Sequence, residues 1–169
     1  MSVVMLSGPV GAGKTTVARE LIAISPAPLY YIEGDTFWPH FVKPDSKPRR
    51  EQFRLLMRSV TAAAIPLARS GYEVLLDFSF PLDFLDTARK ILKEIPIDFV
   101  ILRPSLAVCK QRAASRPEGK IADYSAYRDF YAMFEGLSNH EVGDVEANPA
   151  SIARRIRAGL DQGIFRLNP

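Results

Sequence analysis

Short apolar runs alternate along the chain with longer stretches in which apolar residues recur every three or four positions. The runs "SVVMLS" (2–7), "LYYIEG" (29–34), "YEVLLDFSF" (72–80) and "IDFVILR" (97–103) predict strands, and "HEVGDV" (140–145) predicts a weaker fifth. The first, third and fourth are almost unbroken in apolar character, which marks strands buried on both faces of a parallel sheet. Between the runs, the helical period predicts helices over about 14–24, 50–70, 82–94, 105–115, 124–136 and 149–162. Such alternation places the chain in the α/β class, with helices on both faces of the sheet. Pro39, Pro44 and Pro48 punctuate a stiff stretch after the second strand, and "SRPEGK" (115–120) is a polar loop. No repeat, low-complexity tract or long linker divides the chain, so residues 1–169 read as one domain.

Composition narrows this picture without redirecting it. A chain of 169 residues, 47% hydrophobic and 24% charged, has apolar surface enough for a substantial core. Its net charge of +3 suits a protein that meets anions and equally suits an ordinary soluble protein. No apolar run approaches the roughly 18 residues of a membrane span, so no membrane partner is expected. The start "MSVVMLSG" lacks the basic flank and long apolar region of a secretory signal, and a cytoplasmic location is the expectation. The single cysteine, Cys109, excludes an intramolecular disulfide framework and a Cys-rich zinc site, and reads as a small buried hydrophobe.

The densest chemical signal lies between the first strand and the first helix. Gly8-Pro9-Val10-Gly11-Ala12-Gly13-Lys14-Thr15 satisfies G-x-x-x-x-G-K-[ST] in the strand-to-helix setting that the pattern requires. Glycines let successive backbone N–H groups turn inward around an anion, and the helix start adds unpaired N–H groups and its positive dipole end. Gly8, Gly11, Ala12, Gly13, Lys14, Thr15 and Thr16 are therefore the candidate nucleotide-binding residues. Lys14 would reach the outer phosphates of ATP as a point charge, and the Thr15 hydroxyl would ligate Mg²⁺.

This loop, the short chain and an Asp just past the second strand resemble the small P-loop kinases, the group of shikimate kinase, gluconate kinase and chloramphenicol phosphotransferase. The resemblance implies a three-layer sandwich around a five-stranded parallel sheet of order 2-3-1-4-5. It also implies an arginine-bearing lid that closes over ATP.

"YIEGDTFWPHF" (31–41) carries the Asp in question, Asp35, which would project from the carboxyl edge of the sheet where α/β folds bind ligands. Phosphoryl transfer to an alcohol needs a carboxylate that positions the hydroxyl and accepts its proton. In the resembling kinases an Asp at this position does so, and "GD" followed by Pro-His resembles gluconate kinase. The structural alternative is an Asx-type turn cap, and Glu33 is a competing carboxylate. Phe37, Trp38, His40 and Phe41 follow at once, either as a pocket wall for an apolar acceptor or as cover for the core. Their aromatic character and the segment "VKPDSKPRR" depart from the gluconate kinase pattern. His40 has no second His or Cys at metal-ligand spacing. Asp77, at the end of the third strand, is either a Mg²⁺ ligand or a helix-entry cap, and Ser79 either caps the next helix or touches the acceptor.

Arg112 and Arg116 are four residues apart and would share a face of a continuing helix. Arginine suits the spreading charge on a transferring phosphoryl group, and R-x-x-x-R before a glycine-bearing loop resembles the lid of the small kinases, here near 112–124. Arg103, Lys120 and Arg128 are further candidates. Lys43, Lys47, Arg49 and Arg50 form a basic cluster for an acidic acceptor such as a sugar acid, for a nucleic-acid phosphate, or as a solvated helix start. Basic residues on the last helix, Arg155 among them, flank the adenine in the resembling folds and otherwise face solvent.

Three classes of function fit these residues: a kinase acting on a small hydroxyl compound (sugar, sugar acid or antibiotic), a polynucleotide or nucleotide-sugar kinase, and a nucleotide switch or ATPase. A switch would carry a guanine-reading N-K-x-D, which is absent. A polynucleotide kinase would show a continuous basic track, whereas the basic residues here are interspersed with acids. The expectation is an ATP- and Mg²⁺-dependent kinase with a small-molecule acceptor, no nucleic-acid partner, and a monomeric or homodimeric state.

Overall fold

In the computed structural model of the protein, the described residues are 1–42, 46–117, 119–136, 139–143, 145–146 and 148–167. β1 (Val3–Ser7), β2 (Leu29–Glu33), β3 (Glu73–Asp77) and β4 (Ile97–Ile101) form a parallel sheet in the order β2-β3-β1-β4. Every residue of β1, β3 and β4 is buried, which accounts for their nearly unbroken apolar sequences, while the edge strand β2 is mostly half-buried.

The period-2 alternation of the strands divides the core in two. Val4, Leu6, Leu75 and Val100 pack against α1 (Lys14–Ala23) and α6 (Pro149–Asp161) through Ala18, Leu21, Ile152, Ile156 and Leu160. On the other face, Val3, Met5, Val74, Leu76 and Phe99 meet α2 (Arg49–Arg69) and α3 (Leu85–Leu92) through Met57, Val60, Ala88 and Leu92. Removing one such side chain from water contributes about 1.5–3 kcal/mol, so three layers are held by apolar burial. Of the three buried acids in the strands, Glu73 and Asp98 are each compensated by a guanidinium partner. One guanidinium nitrogen of Arg157 of α6 donates to both oxygens of Glu73 at 2.9 and 3.0 Å, and Arg166 forks onto Asp98 at 2.7 and 3.1 Å.

Among the described residues the sheet has four strands rather than the expected five of order 2-3-1-4-5. The free edge of β4 is shared by two short segments. Ile101 exchanges bonds with His140 and Val142 near its carboxyl end, and Phe99 and Ile97 bond Phe165 and Leu167 nearer its start. The segment expected as a fifth strand contributes one parallel bridge, at Glu141, and turns at Gly143, a residue that packs nothing in a ladder. Asp144 of that stretch lies outside the described residues, as does Lys43 of the basic cluster.

The expected helices over 82–94 and 124–136 are also broken up. Leu82–Phe84 and Ser125–Tyr127 are 3₁₀ turns, leaving α3 and a short α5 (Arg128–Ala132). The stiff stretch after β2 holds another 3₁₀ turn, Gly34–His40.

One backbone position is under strain. Lys93 has φ 54° and ψ −114°, and Ile95 N–H bonds Leu92 C=O across it at 3.1 Å, a turn that glycine favours in this position. Lys93→Gly is therefore expected to raise stability by roughly 1 kcal/mol, because the relieved strain exceeds the added unfolded-state entropy. Chemical denaturation with unchanged slope checks this, and a less stable variant would contradict it.

Candidate active site

The carboxyl ends of β1 and β3 and the start of α1 bring the phosphate loop and Asp77 together. Between β1 and α1 the chain turns through Gly8, Gly11 and Gly13, with φ of 144°, 82° and 91°. At Gly11 an added Cβ would also lie 2.3 Å from the Cys109 carbonyl oxygen, so the loop packs against α4 (Leu106–Ala114) only because no side chain intervenes. Gly13 is the N-cap of α1 and supplies no side-chain bond, which leaves the first-turn N–H groups of Lys14, Thr15 and Thr16 available to an anion. Ala12 is buried, and Thr16 lies exposed on the first turn.

Lys14 folds back over this loop. Its amine donates to the carbonyls of Gly8 at 3.2 Å and Pro9 at 3.3 Å, and it is 9% exposed. Burial lowers its pKa below the ordinary lysine range, opposed first by Asp77 and then by Asp35. A partly desolvated cation with no carboxylate in direct contact among the described residues is well prepared to meet a phosphate.

Thr15 begins α1 and donates its hydroxyl to Asp77 Oδ2 at 2.7 Å. The Tyr31 phenol donates to the same oxygen at 2.9 Å. Burial pushes the Asp77 carboxyl up, while Lys14 and the bonds from Thr15 and Tyr31 pull it down. Thr15 and Asp77 thus present hard oxygen donors side by side. A Mg²⁺ ion that arrives with a nucleotide needs only one or two protein oxygens of this kind, so the pair fits that ion.

Asp35 lies exposed in the 3₁₀ turn that follows β2. Its charge acts on both the Lys14 amine and the Asp77 carboxyl, which puts it on the phosphate-loop side of the sheet edge. It makes no capping hydrogen bond among the described residues; the turn is held instead by Thr36, whose hydroxyl bonds Glu33 C=O at 2.6 Å. Gly34, just before it, lies against Phe78, where a Cβ would come within 2.4 Å of the ring. Glu33 pairs in register with Asp77, and Ser7 secures the loop after β3 by bonding both backbone groups of Phe80, at 2.7 and 2.8 Å.

Of the aromatic cluster after Asp35, Phe37, Trp38 and Phe41 are half-buried against the core and His40 is exposed. The Trp38 ring stacks on Phe53 of α2 with 6° between planes, and the Arg49 guanidinium sits 3.4 Å from its centre. Phe53 continues the contact to Phe78 and Phe130. The 3₁₀ turn bearing Asp35 is thereby anchored to the start of α2.

The two lid arginines do not share a helix face as expected. α4 ends at Ala114, with Arg112 in its last turn and Arg116 beyond it. Pro117 disfavours helix at Arg116, and the Ser115 hydroxyl bonds Gln111 C=O at 2.6 Å. Arg112 donates to Ala12 C=O at 3.2 Å, while Arg116 is exposed and acts electrostatically on Lys14. Glu118 of the lid span is outside the described residues. Tyr124, unremarked in the sequence, donates to Val10 C=O at 2.7 Å. Among the described residues, Arg112 and Tyr124 thus tie the 112–124 stretch to the phosphate loop by two hydrogen bonds.

The remaining basic candidates sit elsewhere. Arg103 is committed to Glu141 by bonds of 2.9 and 3.2 Å. Arg128 lines a hollow of about 310 Å³ with Lys110 and Tyr124, and Lys120 is exposed. Arg155 is exposed on α6, two residues before the Arg157 that grips Glu73 at the start of β3. Cys109 is fully buried, and burial pushes its thiol up to about 11, as a packing residue requires.

The fold recurs in solved structures of kinases. A sugar kinase from Janibacter sp. HTCC2649 superposes with a TM-score of 0.70 at 23% identity, covering 95% of each chain. An APS kinase from Mycobacterium tuberculosis, in complex with AMPPNP and APS, gives 0.69 at 21% identity over 95% of this chain and 97% of its own. A gluconokinase from Sinorhizobium meliloti 1021 gives 0.66 at 21% identity over 95% and 92%. At such identities these likenesses speak to the fold, a P-loop kinase fold. A search of curated protein sequences returns no match. Residues 1–161 match the chloramphenicol phosphotransferase-like proteins, and the chain belongs to that family.

Proposed function

We propose that the protein is an ATP-dependent phosphotransferase that moves the γ-phosphoryl group to a hydroxyl of a small molecule. The observation that carries this reading is the meeting of Lys14, the Thr15–Asp77 pair and Asp35 at one sheet edge, each acting electrostatically on Lys14 or bonded to a group that does. The loop N–H groups and Lys14 hold the phosphates. Thr15 and Asp77 would hold Mg²⁺, which would supply charge neutralisation at the outer phosphates. Asp35 orients the acceptor hydroxyl and takes its proton as the phosphoryl group leaves ATP. Arg116 stabilises charge on the phosphoryl group when the lid closes. Arg112 contributes from the other side of the loop.

A phosphorylation screen over sugars, sugar acids, antibiotics, nucleosides and 5′-hydroxyl oligonucleotides tests the reading. Transfer to a small molecule supports it, and transfer confined to oligonucleotides contradicts it. Arg116→Ala should lower turnover by about 10²–10³, with ATP affinity little changed, as for other donors that act in the transition state. Wild-type turnover in both Arg116→Ala and Arg112→Ala would return these residues to the solvated surface.

A further inference from the structure

Asp77 is held from two sides, by α1 and by β2, and only one of those contacts belongs to the phosphate loop. Thr15 and Tyr31 both donate to Oδ2, at 2.7 and 2.9 Å, and Oδ1 accepts no hydrogen bond among the described residues. A carboxylate turns easily about its terminal torsion, so a single donor would leave its plane poorly fixed. Two donors from separate elements, converging on one oxygen, fix it. The Thr15 hydroxyl has one proton, and because that proton is committed to Asp77, its lone pairs are left for a cation.

The sheet explains why the second donor is a tyrosine. Glu33 pairs with Asp77, and Tyr31 pairs with Leu75, so Tyr31 begins two residues below the carboxylate on the adjacent strand. Two residues rise about 6.6 Å along a strand, with about 4.8 Å between neighbouring strands. A phenol spans that diagonal, and the hydroxyl of a serine or threonine does not. For packing against Leu29 and the α1–α6 core, phenylalanine would serve as well.

We infer that Tyr31 is a positioning residue for a divalent cation: its phenol fixes the Asp77 carboxylate beside the Thr15 hydroxyl, so that the two accept a nucleotide-borne cation without rearranging. The inference rests on the kinase reading above and deepens it. Tyr31 touches neither cation nor nucleotide itself; it acts through Asp77.

The test uses the full chain with AMPPNP and Mn²⁺, following free Mn²⁺ by electron paramagnetic resonance. Tyr31→Phe should weaken Mn²⁺ binding to the nucleotide complex by about 10-fold, the lower end for a group that orients a metal ligand. AMPPNP affinity in EDTA should stay within about twofold, and Tyr31→Phe should add little in an Asp77→Asn background. Mn²⁺ affinity equal to wild type would overturn the inference. So would an equal loss of nucleotide affinity in EDTA, or full additivity with Asp77→Asn. Should Tyr31→Phe fold poorly, a chain with p-aminophenylalanine at position 31, which keeps a donor at the end of the ring, should bind Mn²⁺ more tightly than Tyr31→Leu, and equal affinities would overturn the inference. A wild-type chain that binds no Mn²⁺–nucleotide complex overturns this inference and the kinase reading together, whereas normal binding by both proteins overturns this inference alone.

Discussion

Lys14→Ala should leave the protein folded while phosphoryl transfer falls by at least about 10²–10³ and Mg-ATP binding weakens. The two halves of this expectation have different physical grounds. Lys14 is buried with its amine on two backbone carbonyls, and burial lowers its pKa, so the folded protein gains little from carrying that charge there. Truncation frees the Gly8 and Pro9 carbonyls at the mouth of an open loop, where water replaces the amine. With ATP present the balance reverses. The amine is the only side-chain charge within the loop itself. Calorimetry on the folded variant checks the affinity and a coupled assay checks the turnover. Unchanged ATP affinity would remove the basis for assigning the loop to phosphates.

What the sequence revealed about this site follows from how local each feature is. The phosphate loop is contiguous, and its glycines, lysine and threonine sit at fixed offsets, so reading it needs no knowledge of the fold. Asp77 and Asp35 were legible as acids at the ends of apolar runs, because an α/β sheet places such ends along one edge. The partners of these residues were not legible. Tyr31 lies 46 residues from Asp77 and Tyr124 lies 114 from Val10, and both contacts depend on strand order and register. In hindsight, the alternation of Tyr31 with Glu33 puts both on the face of Asp77 once β2 is paired with β3.

The same reasoning explains the fold-level outcome. β1, β3 and β4 are evident because both their faces are buried, whereas Arg157 and Arg166, which make Glu73 and Asp98 tolerable there, come from 84 and 68 residues away. The fifth strand did not form because the edge of β4 is taken up by two segments, one of them the C-terminal Phe165 and Leu167, which carries no strand pattern of its own. For the lid arginines a local signal was present: Pro117 directly after Arg116 opposes a continuing helix.

Asp35→Asn separates a kinase from a nucleotide switch. The substitution keeps the size of the side chain and most of its hydrogen bonding, and removes the negative charge and the basicity. Because Asp35 is exposed and caps nothing among the described residues, fold stability should change little. Its charge also acts on Lys14 and Asp77, so a modest shift in nucleotide affinity is expected from electrostatics alone. The acceptor phosphorylation rate should fall by about 10²–10⁴, the range for a positioned general base. The lower end applies if the transition state is loose, since little proton removal is then needed and orientation of the hydroxyl matters most. Single-turnover kinetics at saturating ATP measure this step apart from product release. A variant that loses stability but keeps its specific activity would mark Asp35 as a turn residue. Glu33, the register partner of Asp77 on the same sheet edge, would then be the carboxylate to replace next.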